Sequence, residues 1–196
     1  MARPSLVYSL LALGSQPLRL LYRMAAKGKE NLPREGGFVL AANHTSNFDP
    51  WPLGLPLYPN RFLRFMGKSE LFWWPLGSFI EAAGAFKVKR GQGDAEAIAK
   101  AVELVRAGEV VVMFPEGTRR KKGLVKKHHA RAHSGAARIA REAGVPLVPA
   151  AISGTDRLAR LAKLRVVYGP PLEQTDDVNE TTERLMAEIE RLRASL

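Results

Sequence analysis

At 196 residues the chain fits one domain, and a hydrophobic share of 46% is enough to bury a core. Lys and Arg number 30 against 19 Asp and Glu, and the net charge of +11 points to anionic partners: nucleic acid, acidic lipid or phosphorylated small molecules. With no cysteine, disulfide scaffolds, thiolate nucleophiles, iron–sulfur centres and cysteine-based zinc sites are excluded, and an aromatic content of 8% disfavours repeated base-stacking platforms.

Between Arg3 and Arg19 the sequence is uncharged and rich in Leu, but Ser5, Ser9, Ser15, Gln16 and Pro17 interrupt it. It falls short of the roughly 20 apolar residues that span a bilayer, and it offers no small-residue cleavage site. The pattern predicts an apolar helix over residues 4–15, a break at Pro17, and a second helical piece carrying Arg19, Arg23 and Lys27 beside Leu18, Leu20, Leu21 and Met24. Two readings fit this stretch. One is a pair of helices packed in the core or on the surface; the other is an interfacial element with Leu and Tyr in a membrane and cations at the headgroups.

Beyond Pro33 short apolar runs alternate with helical periods. Phe38–Ala42 reads as a buried strand, Phe62–Met66 as a second and Phe86–Val88 as a third. Ala95–Val105 sets Ile98, Val102 and Val105 near one helix face, with Gly108 beyond its end, and Val110–Phe114 is the clearest buried strand. A helix over about 130–143, strands at Leu147–Ile152 and Leu164–Tyr168, and a last helix with Leu185, Ile189 and Leu192 on one face complete the order. Strands separated by helices predict a single α/β domain with a mixed central sheet flanked by helices.

Pro75 and Gly77 punctuate an apolar patch that includes Phe72, Trp73, Trp74 and Phe79. Successive side chains on a regular backbone cannot share one face, so at least one tryptophan is expected at a surface, an interface or a pocket mouth.

Candidate chemistry lies where strands end in polar residues. His44 follows the first strand, with Asp49 five residues later. An imidazole can take a proton from a hydroxyl while a carboxylate on its other nitrogen holds the tautomer, and a turn between the two would bring them together. Since the chain has no cysteine and no serine in a nucleophile-elbow pattern, this pair suggests activation of a substrate's own hydroxyl. The second polar strand end is Phe114-Pro115-Glu116-Gly117-Thr118-Arg119-Arg120. A glycine-containing turn exposes amides to an anion, Arg119 suits a bidentate pair with phosphate, and Glu116 could orient that cation or bind a hydroxyl. The cationic run continues through Lys127 to His128, His129 and His133; the last two are four apart but lack the glutamate of a zinc-protease helix, which sets the metal reading aside.

These residues carry a resemblance. Asn43-His44-Thr45-Ser46-Asn47-Phe48-Asp49-Pro50 resembles the HxxxxD block of the glycerolipid acyltransferases. Gly84-Ala85-Phe86-Lys87-Val88-Lys89-Arg90 resembles their second block, Phe114-Pro115-Glu116-Gly117-Thr118-Arg119 matches the third, and Val145-Pro146-Leu147-Val148-Pro149 resembles the fourth. The blocks stand in family order over residues 43–149, and the length and helical amino terminus resemble the small bacterial members that acylate 1-acyl-sn-glycerol 3-phosphate.

The resemblance implies acyl transfer from acyl-CoA or acyl-carrier protein to the sn-2 hydroxyl of lysophosphatidic acid, forming phosphatidic acid. Related readings take glycerol 3-phosphate or another lysophospholipid as acceptor; a non-catalytic basic module binding membrane or nucleic acid is the reading from a different class. In the family scheme His44 is the general base and Asp49 its orienting partner. Arg90, Glu116, Gly117 and Arg119 form the phosphate and glycerol site, with Lys68 outside the four blocks as a further contributor. The scheme requires no metal, no cofactor and no covalent acyl-enzyme, and its partners are an acidic phospholipid surface, lysophosphatidic acid and the thioester, with no nucleic acid. Residues 1–28 are then a membrane-interfacial element and 29–196 the acyltransferase domain, peripheral or monotopic on the cytoplasmic face of the membrane. Lys87 and Lys89 make the second block more basic than is usual in the family, which bears on substrate selection more than on reaction type.

Overall fold

In the computed structural model, which describes residues 4–88, 94–116 and 132–196, the chain opens with two short helices, α1 (Leu6–Gly14) and α2 (Gln16–Leu21), and enters the sheet at β1 (Ala25–Lys27). Then come β2 (Phe38–Ala42), α3 (Pro50–Gly54), β3 (Leu63–Lys68), α4 (Leu76–Ala82), β4 (Ala85–Val88), α5 (Asp94–Arg106) and β5 (Val110–Met113). The order closes with α6 (Gly135–Ala143), β6 (Leu147–Ser153), β7 (Arg165–Tyr168) and α7 (Val178–Ala194).

Among the described residues seven strands form one sheet in the order β1-β7-β6-β2-β5-β3-β4. Neighbours run parallel except for β6 and β7, which are antiparallel. This is the expected α/β domain with a mixed central sheet flanked by helices. The central strand β2 is buried along its whole length, and its alternation divides the core. Val39 and Ala41 join Val105, Ile139, Leu185 and Ile189 on one face of the sheet. Phe38, Leu40 and Ala42 join Leu53, Leu63, Val112 and Ile152 on the other.

The first face is covered by α5, α6 and α7, which supply the aliphatic partners just named. The second is covered by shorter pieces. The Tyr8 hydroxyl of α1 accepts from the Leu63 amide at 3.1 Å, and the Tyr8 ring meets Phe62 edge-on at 5.4 Å. The Ser5 hydroxyl caps the Tyr8 amide and also donates to the Ala82 carbonyl, tying α1 to α4. The outer side of these first helices is apolar, with Leu6, Leu10, Leu13, Leu20 and Leu21 exposed. Among the described residues no helix is long and apolar enough to cross a membrane.

Two expectations need correction. The second helical piece ends at Leu21: Arg23 takes a φ of +43°, and the chain turns into β1, where the Ala25 amide donates to the Leu164 carbonyl. Lys27 is therefore a strand residue at the sheet edge, because pairing with β7 satisfies a backbone that a continued helix would leave outside the sheet. The helix predicted over 130–143 begins at Gly135; residues 130 and 131 lie outside the described residues, and the His133 amide is drawn instead to the Pro115 carbonyl at 2.8 Å. Within the apolar patch lies helix α4, an element the sequence pattern had not assigned. Both tryptophans before it are exposed, Trp73 and Trp74, since they fall in the irregular segment that precedes the helix.

Candidate active site

Strands β6, β2, β5, β3 and β4 run in one direction and end at one edge of the sheet. Open α/β sheets bind ligands outside the carboxyl ends of their strands. His44 lies two residues beyond β2, Glu116 three beyond β5, and Lys68 is the last residue of β3, paired in register with Val88 of β4. Glu116 is half-buried. Arg90, Gly117, Arg119, His128 and His129 lie outside the described residues.

Asp49 itself winds the turn that brings it to His44. Its Oδ2 accepts from the amides of Thr45 at 2.7 Å and Ser46 at 2.9 Å, a side-chain substitute for backbone turn bonds. The same oxygen lies 2.8 Å from His44 Nδ1. The carboxylate is 0% exposed and the imidazole 16%. Burial pushes the Asp49 carboxyl up, while the bonds from His44, Ser46, Thr155 and Thr45 pull it down, and the balance leaves it below its ordinary value. Asp49 is thus an anion at neutral pH. A carboxylate has no proton to give, so the proton in this contact sits on His44 Nδ1, and in the neutral ring that tautomer leaves the lone pair on Nε2. The ring also stacks on Phe114, just past β5, with centroids 4.1 Å apart and planes 19° from parallel. An imidazole fixed on one nitrogen and one face can accept a proton from a hydroxyl presented at Nε2.

Residues 23–153 match the family model described as Acyltransferase. The chain belongs to the acyltransferase family. This acyltransferase is 36% identical over 170 residues to the 1-acyl-sn-glycerol-3-phosphate acyltransferase of Bacillus subtilis (strain 168), an alignment covering 84% of this chain and 81% of that protein. It is 32% identical over 141 residues to a chloroplastic 1-acyl-sn-glycerol-3-phosphate acyltransferase of Brassica napus, covering 70% of this chain and 39% of the other. Among solved structures, the 1-acyl-sn-glycerophosphate (LPA) acyltransferase PlsC from Thermotoga maritima superposes with a TM-score of 0.71 at 24% identity, over 94% of this chain and 77% of that one. That likeness establishes a shared fold.

Beside the His44–Asp49 turn the acyltransferase holds a cavity of about 180 Å³ between α1, α3 and β3, lined by Tyr8, Leu11, Phe48, Trp51, Leu63 and Phe65 among others. Its wall is mainly apolar and reaches Phe48, the residue before Asp49. Three neighbours of the His–Asp pair escaped the sequence reading. Phe114 and Asn43 stood within the quoted blocks with no role of their own; Asn43, 2% exposed, exchanges two hydrogen bonds with Ile152 across to β6, at 3.0 and 2.8 Å. The Thr155 hydroxyl reaches Asp49 Oδ1 at 2.5 Å. The signal for Thr155 was present, since Ser153-Gly154-Thr155-Asp156 is a polar strand end like the two that were followed.

Proposed function

We propose that this chain transfers a fatty acyl group from a thioester, acyl-CoA or acyl-carrier protein, to the sn-2 hydroxyl of 1-acyl-sn-glycerol 3-phosphate, forming phosphatidic acid. The observation that carries the reading is the His44 Nδ1 to Asp49 Oδ2 contact of 2.8 Å onto a fully buried carboxylate. It provides a base for a substrate hydroxyl without a protein nucleophile. The names of the Bacillus subtilis and Brassica napus relatives support the choice of acceptor.

In the step, His44 Nε2 takes the proton of the sn-2 hydroxyl as its oxygen attacks the thioester carbonyl. A carbon–oxygen bond forms, the tetrahedral intermediate collapses, the carbon–sulfur bond breaks, and the imidazolium returns the proton to the leaving thiolate. Asp49 steadies the positive charge on the ring between these two transfers. Lys68, Arg90, Glu116, Gly117 and Arg119 are assigned to the phosphate and glycerol of the acceptor; of these, Lys68 ends β3 and Glu116 follows β5 at the same edge of the sheet. Holding the phosphate converts a bimolecular encounter into an oriented one. The apolar cavity beside Phe48 suits a fatty chain.

An acceptor with one fatty tail resides in a membrane, so residues 1–28 are assigned to docking and 29–196 to catalysis. The exposed leucines of α1 and α2 enter the headgroup boundary, while the excess of Lys and Arg attracts acidic lipid. Both candidate thioesters are cytoplasmic, and the cytoplasmic face is assigned to the chain on the strength of that proposed donor.

The test is thioester-dependent acylation of 1-acyl-sn-glycerol 3-phosphate on acidic vesicles. Wild type is expected to turn over, and His44→Ala to lose about 10²- to 10⁴-fold with its circular dichroism unchanged. Wild type that is folded and vesicle-bound yet acylates neither this acceptor, glycerol 3-phosphate nor a headgroup-bearing lysophospholipid would overturn the reading.

A further inference from the structure

The His–Asp pair is held from a second side. Asp49 Oδ2 is occupied by the Thr45 and Ser46 amides and by His44, all within five residues in the chain. These contacts fix one oxygen and leave rotation about the carboxylate bond to be settled by the other. Two hydroxyls lie within reach of Oδ1: Thr45 at 3.2 Å, and Thr155 at 2.5 Å from 106 residues away. The two threonine hydroxyls also lie 2.8 Å apart. At 2.5 Å the Thr155–Oδ1 contact needs a proton between the two oxygens, and a carboxylate has none, so Thr155 donates to Oδ1; the single Thr45 proton then turns to the Thr155 oxygen at 2.8 Å in preference to Oδ1 at 3.2 Å.

The fold delivers Thr155 to this point by two devices. Asn43, the residue before His44, donates from Nδ2 to the Ile152 carbonyl and accepts at Oδ1 from the Ile152 amide, which holds the exits of β2 and β6 at one level. Gly154 then turns the chain with a φ of +95°, and a Cβ there would stand 2.4 Å from the Lys163 carbonyl oxygen. Only glycine fits this turn, and it aims the next residue back at Asp49. Thr155 is 3% exposed, which limits access of a replacement water donor.

We propose that Thr155 is a positioning residue for the acyl transfer, its hydroxyl locking the Asp49 carboxylate so that Oδ2 stays on His44 Nδ1. The inference rests on the proposed function for what the pair does, and on the hydrogen-bond geometry alone for how the pair is held. Thr155 touches no reacting atom and acts through Asp49.

The experiment compares Thr155→Val, which keeps the shape and removes the donor, with Thr155→Ser, which keeps the donor. Two readouts are taken: kcat and KM for 1-acyl-sn-glycerol 3-phosphate on acidic vesicles, and the Nδ1–H proton resonance of His44 in histidine-¹⁵N-labelled protein, identified by its loss in His44→Gln. Thr155→Val is expected to lower kcat by about 10- to 100-fold, the effect of removing one charge-assisted bond, with KM changed less than about threefold. Its His44 Nδ1–H signal broadens or disappears, and Thr155→Ser restores both the signal and most of kcat. Full kcat in Thr155→Val, a loss confined to KM, or a lowered kcat with the His44 signal intact would each overturn the proposal. If wild type acylates no acceptor while the His44 signal still depends on the Thr155 hydroxyl, the proposed function fails and the positioning stands.

Discussion

The two faces of one sheet are finished in opposite ways. On the first, α5, α6 and α7 lay aliphatic residues such as Val105, Ile139, Leu185 and Ile189 against Val39, Ala41 and Val111, all almost entirely buried. These helices have 13, 9 and 17 residues, and each keeps one apolar side and one polar side. On the second, α1, α2 and α3 have 9, 6 and 5 residues. They leave a cavity against β3 and turn leucines outward. Helices with a single apolar side can complete a core and stop there, whereas α1 is apolar on most of its circumference and satisfies the sheet with one side only. The first face is thus built for stability, and the second gives up packing for an apolar space that reaches Phe48.

The sharpest way to break this contrast is to remove equal volume from each face. Leu185→Ala empties a site of 0% exposure and is expected to cost about 2–5 kcal/mol in denaturant unfolding. Leu11→Ala, at a half-covered position lining the cavity, is expected to cost under about 1 kcal/mol and instead to alter which acyl-chain lengths are handled. Equal losses of stability from the two would mean that the second face is a core like the first.

Next in size is the contribution of the Asp49 carboxylate, at the edge where the faces meet. Its folded-state pKa is depressed, so the unfolded chain binds the extra proton and stability rises with pH through that window. The contribution is complete above the ordinary carboxylate value and is lost as pH falls through the lower folded value. Asp49→Asn is expected to be destabilised by about 1–3 kcal/mol at pH 7, since buried donors lose a charged acceptor. The gap to wild type should begin to close as pH falls below the ordinary carboxylate value of about 4 and vanish only past the lower folded value. Unfolding curves of both proteins at pH 7, 5, 4 and 3 measure it; a gap independent of pH would mean that the carboxylate's charge is not what the turn uses.

The first face was far more legible in sequence than the second, for a physical reason. Val110–Met113, Leu147–Ser153 and the stripe Leu185, Ile189, Leu192 carry periods that burial on two sides or one side imposes, and the sheet and its long helices followed from them. β1 has three residues, too few for any period, and is created by its pairing with β7. α3 and α4 begin at or beside prolines within aromatic runs that read as punctuation. At the site, His44 and Asp49 were legible because the turn between them is local and Asp49 builds it. Thr155 stood at a polar strand end, but its link to Asp49 was not legible, because it spans 106 residues and depends on β6 lying beside β2. Phe114 shows the same limit: the strand was evident, but stacking on His44 follows only from the adjacency of β2 and β5.

The outward leucines of the second face give the smallest effect on folding and the clearest separation of folding from docking. Leu20 is 83% exposed, so Leu20→Gln is expected to change unfolding stability by less than about 0.5 kcal/mol. If that side chain enters a membrane, burying it contributes about 1.5–3 kcal/mol, and its loss lowers the partition coefficient onto acidic vesicles roughly tenfold or more. Salt isolates the two forces that would hold the chain there. Raising ionic strength from about 0.1 M to 1 M shortens the screening length from about 10 Å to 3 Å and removes most attraction between lipid headgroups and a chain of net charge +11. Wild type should then bind more weakly but measurably, and the residue of binding should be what Leu20→Gln lowers further. Cosedimentation that is equal for wild type and variant at both ionic strengths would mean that this end of α2 stays in water, leaving α1 and the basic surface to do the docking.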